Sequence, residues 1–404
     1  MIKSVAIRSV RVIDGTGSTI ERATVIVRGD AIAAVGSDRD LSIPHGATKI
    51  DGRGLTLLPG LIDCHVHLCL GAEPDVVDAI AKEAPAITLL KSSQAARQTL
   101  EAGFTTLRDV GSRDHSIFTL QRAIEAELVP GPRIIGAGQA ICMIGGHARF
   151  IGQEVEGAEQ VRSVVRAQID AGAAVIKVIA SGGVLTPGTS PDQAQMTVEE
   201  LQAAVDEAQR AGRKVAAHAH GSSGMKNAIR AGVHSIEHAT LMDEEASAMM
   251  KQQGIFMVPT LSALATTAAC RLGCGVPESV LDKAKSMTKR HQVSFKNALR
   301  DGIKIAMGTD AGTPFNFHGE NAQELERMVA FGMSPMQAIL ASTSAAARLI
   351  GIQDQVGLIE KGKVADLLLF KGNPLRRIDL LRDRSRIVGV MQAGKWVAGP
   401  LSKT

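Results

Sequence analysis

The stretch VEELQAAVDEAQRAGRKVAAHAH (Val198–His220), continued by GSSGMKNAIRAGVHSIEH (Gly221–His238), decides the fold. It reads as helix, glycine, strand, then helix, glycine, strand. Val198–Ala211 and Met225–Ala231 carry apolar residues at helical spacing. Lys214–His218 and Ser235–His238 are short and too apolar to be half-exposed. Gly212 and Gly232 stand where a helix stops, because glycine takes the left-handed conformation without a Cβ clash. The same unit recurs outward in both directions. Ser92–Ala102, Ala158–Ala171 and Glu244–Gln253 are helix-period stretches, and further stops stand at Gly103, Gly172, Gly254 and Gly302. The other candidate strands are Leu57–Asp63, Thr105–Asp109, Arg133–Ala137, Ala174–Ile179, Ile255–Pro259 and Lys304–Thr309. Eight such strands alternating with helices predict an α/β chain with a (β/α)8 TIM barrel over residues 57–351.

The flanks have a different texture. Residues 1–56 are short alternating runs broken by Gly15, Gly17, Gly29 and Gly36, and alternation returns after Gly351. Neither end is long enough to bury a core alone. The expectation is one small β-sandwich domain composed of residues 1–56 and 352–404.

Composition removes several function classes. Hydrophobic residues make up 45% and charged residues 21%, which excludes a disordered chain. With nine Phe, one Trp and no Tyr, the chain lacks the aromatic faces that stack on bases, and its net charge of +4 is not gathered into a stripe. No nucleic-acid partner is expected. The N-terminal MIKSVAIRSVRVIDG alternates like a strand and has no signal-peptide core, and no apolar run reaches membrane-span length. Five cysteines scattered over the chain do not form a disulfide framework, so a reduced, cytoplasmic setting is expected. A homo-oligomer is also expected.

In a barrel of this kind the chemistry sits where strands end. The first candidate strand ends Asp63-Cys-His65-Val-His67, with two histidines on one face at i and i+2. The fourth carries Lys177 among aliphatic residues, an expensive place for an ammonium. The fifth ends in His218 and His220, the sixth in His238, and the eighth in Asp310. His147 lies in a glycine-rich loop after the third, and Arg108 and Arg149 are further groups able to meet a carboxylate. His234 starts a strand and reads as structural; His45, His115 and His291 have no supporting context.

This set, with Leu58-Pro-Gly-Leu-Ile-Asp-Cys-His-Val-His67 and Gly362-Lys-Val-Ala-Asp-Leu367, resembles the amidohydrolase superfamily over essentially the whole chain. Ile144-Gly-Gly-His147, Ser181-Gly-Gly183, Ala217-His-Ala-His-Gly221 and His318-Gly-Glu-Asn321 are similar to its metal-dependent dipeptidases and carboxypeptidases. The resemblance implies two divalent metal ions, zinc being the expected one. His65, His67 and Asp310 would hold the more buried ion, and His218 and His238 the other. Lys177, carrying a carboxylate derived from CO2, would bridge them. It also implies that a bridging hydroxide attacks an amide carbon while Asp310 moves the proton to the leaving nitrogen. His220 would polarise the carbonyl or bind substrate, and His147 would contact substrate. The implied activity is cleavage of small peptides or amides, hydrophobic Xaa-Pro dipeptides first. Xaa-Arg/Lys dipeptides, or cyclic and aryl amides of the imidazolonepropionase or ochratoxin kind, are the alternatives. A mononuclear deaminase fits less well, because Gly221 stands where those enzymes place a glutamate and Lys177 would have no task.

Overall fold

The computed structural model describes residues 4–271 and 273–403. The inner strands are all parallel. Leu61–Val66, Phe104–Asp109 and Arg133–Gly136 form one sheet in that order. Val175–Ile179, Lys214–Gly221, Ser235–Leu241, Phe256–Val258 and Lys304–Ile305 form a second, extended at its other edge by Ala140–Met143 and Gly152–Val155. Hydrogen bonds join the two sheets on both sides, from Ala174 N to Gly136 O (2.9 Å) and from Cys64 N to Met307 O (2.9 Å). Helices such as Pro85–Glu101, Gly157–Ala171 and Val198–Arg210 connect successive strands. The glycine stops expected between them, Gly103, Gly172, Gly212, Gly232, Gly254 and Gly302, all have positive φ. Among the described residues no helix is long and apolar enough to cross a membrane.

The first expected strand, Leu57–Asp63, is in fact two. Leu55–Pro59 pairs with Ser4–Ile13 and Leu367–Lys371, whereas Leu61–Val66 joins the inner set. The chain therefore passes from one sheet to the other at Gly60, three residues later than the boundary expected at 56/57. A continuous apolar run hides such a break, because both segments are buried. Gly60 marks it: a Cβ there would overlap the Thr105 side chain. The eighth expected strand, Lys304–Thr309, keeps its ladder only over Lys304–Ile305, after which the chain turns toward Asp310.

Both chain ends build one eight-stranded mixed sheet. Its order is Lys395–Ala398, Ile387–Gln392, Leu367–Lys371, Leu55–Pro59, Ser4–Ile13, Thr19–Arg28 and Ala31–Ser37, with Thr48–Asp51 also paired to Ser4–Ile13. The hydrogen bonding is thus that of one continuous sheet, not of two facing sheets. Period-two alternation gives it two apolar faces. Leu57, Leu367 and Leu369 pack with Ile7, Val10, Val25 and Met391, while Leu58, Leu368 and Phe370 belong to the core of the α/β body.

Cys270 and Cys274, expected as thiols, are joined by a disulfide at the end of the Leu261–Ala268 helix. Cys64, Cys69 and Cys142 are free and buried.

Candidate metal centre

Because the strands run parallel, their carboxyl ends share one side of the molecule, and the histidines collect there. Ile179 is in register with His218, and Ala219 with His238. The His218, His220 and His238 rings stand 4.6–4.8 Å apart between centroids, and His65 lies 5.0 Å from His238. Two groups bring their ligand atoms within 4.8 Å of one another: His218, His220 and His238, and His65, His238 and Asp310. Distance alone does not separate His218 from His220 as a ligand.

Hydrogen bonds fix which ring atom faces the pocket. His65 Nδ1 lies 2.7 Å from Glu237 Oε2 and His67 Nδ1 2.8 Å from Gly111 O. Both partners only accept, so each Nδ1 donates. In the neutral imidazole the proton is then used, and Nε2 presents a lone pair. Those Nε2 atoms lie 3.4 and 3.3 Å from the same carboxylate oxygen, Asp310 Oδ1. Two imidazole nitrogens converging on one carboxylate oxygen suit a cation. His220 and His238 direct Nδ1 at Thr240 Oγ1 (2.8 Å) and Thr260 Oγ1 (2.7 Å). Burial, and then their imidazole neighbours, hold His218, His220 and His238 well below the usual histidine range. They are therefore neutral and able to ligate.

Lys177 completes the set. It is buried, its Nζ has no hydrogen-bond partner, and burial lowers its pKa to about 8. No hydrogen bond holds an ammonium there, and burial outweighs the pull of the Glu237 and Asp310 carboxylates on it, whereas an anionic derivative would face a cation site. The donor chemistry of these side chains thus fits divalent metal.

Second partners hold the donors in place. Asp63 accepts from His65 N, Thr309 N, Thr309 Oγ1 and Asn321 Nδ2, and so ties the ends of the first and last inner strands together. Glu237 is held at about 2: burial pushes its carboxyl up, and Arg108 and His65 beside it pull it down further. Arg108, a candidate for a substrate carboxylate, is fully buried and spends its guanidinium on Glu237, Ser235 Oγ and Cys64 O. Arg149 is exposed and bonds Gly145 O, so neither arginine faces the cleft. His291, which had no context in sequence, is buried on the Glu278–Asp301 helix with Nε2 3.0 Å from His238 O. His234 accepts from Val215 N, away from the cleft. His238, Thr260 and Asp310 all have positive φ, an unfavourable conformation for these residues that clusters at this site.

The donors floor a cleft. His147 lines it with Nδ1 2.9 Å from Thr186 Oγ1, and burial lowers its pKa to about 3. The rest of the lining is mostly aliphatic, with Leu70, Phe150, Ile151, Val184, Leu185 and Leu264 prominent. The run Leu261–Ala268 is a helix that supplies Ala263, Leu264 and Thr267 to this wall. Buried Glu324 caps it, accepting from Leu261 N, Ser262 N and Ser262 Oγ.

Residues 56–397 match the profile of the amidohydrolase family. Among curated proteins the chain is 31% identical to ochratoxinase of Aspergillus niger, over 96% of this chain and 85% of that protein. Among solved structures it is similar to a Xaa-Pro dipeptidase with methionine bound in the active site (TM-score 0.92, 36% identity, 98% of this chain and 100% of that one). A prolidase complexed with N-methylphosphonate-L-proline is a further neighbour (TM-score 0.91, 32% identity, 98% and 99%).

Proposed function

Given that the chain belongs to the amidohydrolase family, we propose that it is a binuclear metal-dependent hydrolase of dipeptides, with hydrophobic Xaa-Pro dipeptides its preferred substrates. The observation that carries the metal reading is the convergence of His65 Nε2 and His67 Nε2 on Asp310 Oδ1 beside a buried, unpartnered Lys177 Nζ. In this reading His65, His67 and Asp310 would hold one ion, His218 and His238 the other, and Lys177, once carboxylated, would be a ligand shared by both. When bound, divalent ions lower the pKa of water toward neutrality and polarise a carbonyl. The chain's own groups do the rest. Asp310 carries the proton to the leaving amide nitrogen. In this reading His220, held by Thr240, contacts the scissile carbonyl and His147, held by Thr186, the substrate carboxylate. The same reading takes the eight parallel inner strands as one (β/α)8 barrel, supported by the hydrogen bonds that join the sheets at both edges.

The aliphatic lining supports an apolar residue on the acyl side, and the likeness to Xaa-Pro dipeptidase and prolidase structures supports the dipeptide. A second reading, hydrolysis of apolar aryl amides, is supported by the same lining together with the likeness to ochratoxinase. A screen of dipeptides, their C-terminal amides, N-acyl amino acids and aryl and cyclic amides, with zinc supplied and metal content measured, decides between them. Dipeptide hydrolysis is expected to fall at least tenfold on amidation of the substrate, the loss of one charge-assisted contact. Equal kcat/KM for a dipeptide and its amide transfers the assignment to aryl amides. A protein that holds no metal and hydrolyses nothing in the panel refutes both readings.

A further inference from the structure

The loop after the Lys177 strand is braced from outside the cleft. Lys283 stands on the Glu278–Asp301 helix and donates to three backbone carbonyls, Gly183 O (3.3 Å), Thr186 O (3.2 Å) and Thr189 O (2.7 Å). An ammonium has three donors, and all three are spent on one loop. No carboxylate among the described residues lies within ion-pair reach of it. From within, Thr189 Oγ1 closes the same loop onto Gly183 O (3.2 Å) and Thr186 O (3.0 Å).

What the loop delivers matters for recognition. Val184 and Leu185 form part of the cleft wall, and Thr186 Oγ1 meets both His147 Nδ1 (2.9 Å) and Ala148 N (3.2 Å). Gly183 packs so closely on His147 that a Cβ there would overlap the imidazole. A shift of this loop therefore moves an apolar wall and a candidate substrate contact together. Lys283 itself lines no part of the cleft. The helix that carries it also carries His291, so a single rigid element backs both the loop and His238.

We propose that Lys283 is a positioning residue for substrate recognition: by gathering three carbonyls of the 182–189 loop it sets the wall that receives the acyl side chain and the orientation of His147. This rests on the hydrolase reading above. Neither metal nor substrate is touched, so the effect belongs in KM for bulky apolar substrates more than in kcat or metal content.

Lys283→Met keeps the apolar stem and removes the three donors, and Lys283→Arg keeps the charge in a planar fork that cannot copy the tripod. Amide hydrogen exchange over 182–189 is expected to accelerate at least tenfold in the Met variant, with bound metal equal to the parent. KM for a dipeptide with a bulky apolar acyl residue is expected to rise about tenfold, kcat to change less than threefold, and Arg to recover part of the loss. Unchanged exchange in a folded Met variant overturns the proposal, as does faster exchange with an unchanged KM. If the parent hydrolyses no member of the panel, the hydrolase reading has failed. The exchange measurement then still decides whether Lys283 holds the loop.

Discussion

At the scale of single residues, the candidate donors were legible because each ends or interrupts an apolar strand, where a histidine, lysine or aspartate has no packing reason to be. Their supports were not. Glu237 reads as one more letter of Ile236-Glu-His238, and nothing in the sequence shows that its carboxylate meets Arg108 from one side and His65 from the other. Thr240, Thr260 and His291 were silent for the same reason: each acts through a contact made only in three dimensions. Three outcomes belong here. Lys177→Ala should lose both bound metal and activity, and small carboxylates such as acetate should restore part of each; a fully active Ala variant refutes the bridging role. Asp310→Asn keeps the shape and removes the basicity, so kcat should fall by roughly 10²–10⁴ while some metal stays, as metal analysis and steady-state kinetics will tell. Arg108→Met strips the partner from a carboxylate with no exposure at all, which should cost about 3–5 kcal/mol in denaturant unfolding. A loss below 1 kcal/mol would mean that Glu237 finds compensation elsewhere.

Among the secondary-structure elements, helix ends before strands were readable from glycine, since the left-handed stop is a local requirement. Leu261–Ala268 was not. It is short and almost wholly apolar, so no amphipathic period distinguishes it from a loop, and its N-terminus is capped by Glu324 from a remote segment. That cap has a pH signature. Burial pushes the Glu324 carboxyl up to about 7, although Ser262 and two backbone N–H groups draw it down. A carboxyl that titrates higher in the fold than in the unfolded chain makes the fold bind more protons across that interval. Its contribution to stability is then largest at acid pH and declines as pH rises from about 4.5 to 7, by on the order of 3 kcal/mol. Glu324→Gln cannot titrate. Thermal unfolding at pH 5 and 7.5 should show the parent losing more stability than the variant between the two. The comparison cancels the pH dependence that metal binding imposes on both. Parallel slopes in parent and variant would show that Glu324 is ionised throughout.

On the scale of the whole molecule, the change of texture at the two ends could be read from alternation, but not which strand meets which. Leu367–Lys371 lies between Leu55–Pro59 and Ile387–Gln392, a choice made by distant pairing and not by local propensity. The break at Gly60 was hidden for a related reason, since both segments around it are buried. The joint has a consequence in time. Thr56 Oγ1 donates to Gly372 O, a partner 316 residues further along. A ribosome adding about 5–20 residues per second needs roughly 15–60 s to supply that partner. Throughout that interval the Leu55–Pro59 strand, apolar on both faces, has an open edge of the kind that captures other chains. Refolding from denaturant should accordingly be slow and lose yield steeply as protein concentration rises, a trend that light scattering during dilution will register. Adding a holdase chaperone should flatten that concentration dependence, and yield independent of concentration would show that the strand is sheltered before its partner arrives. The Leu367–Lys371 strand thus decides whether the much earlier Leu55–Pro59 strand is ever covered, and a nascent chain that still lacks it is expected to be a client for chaperones.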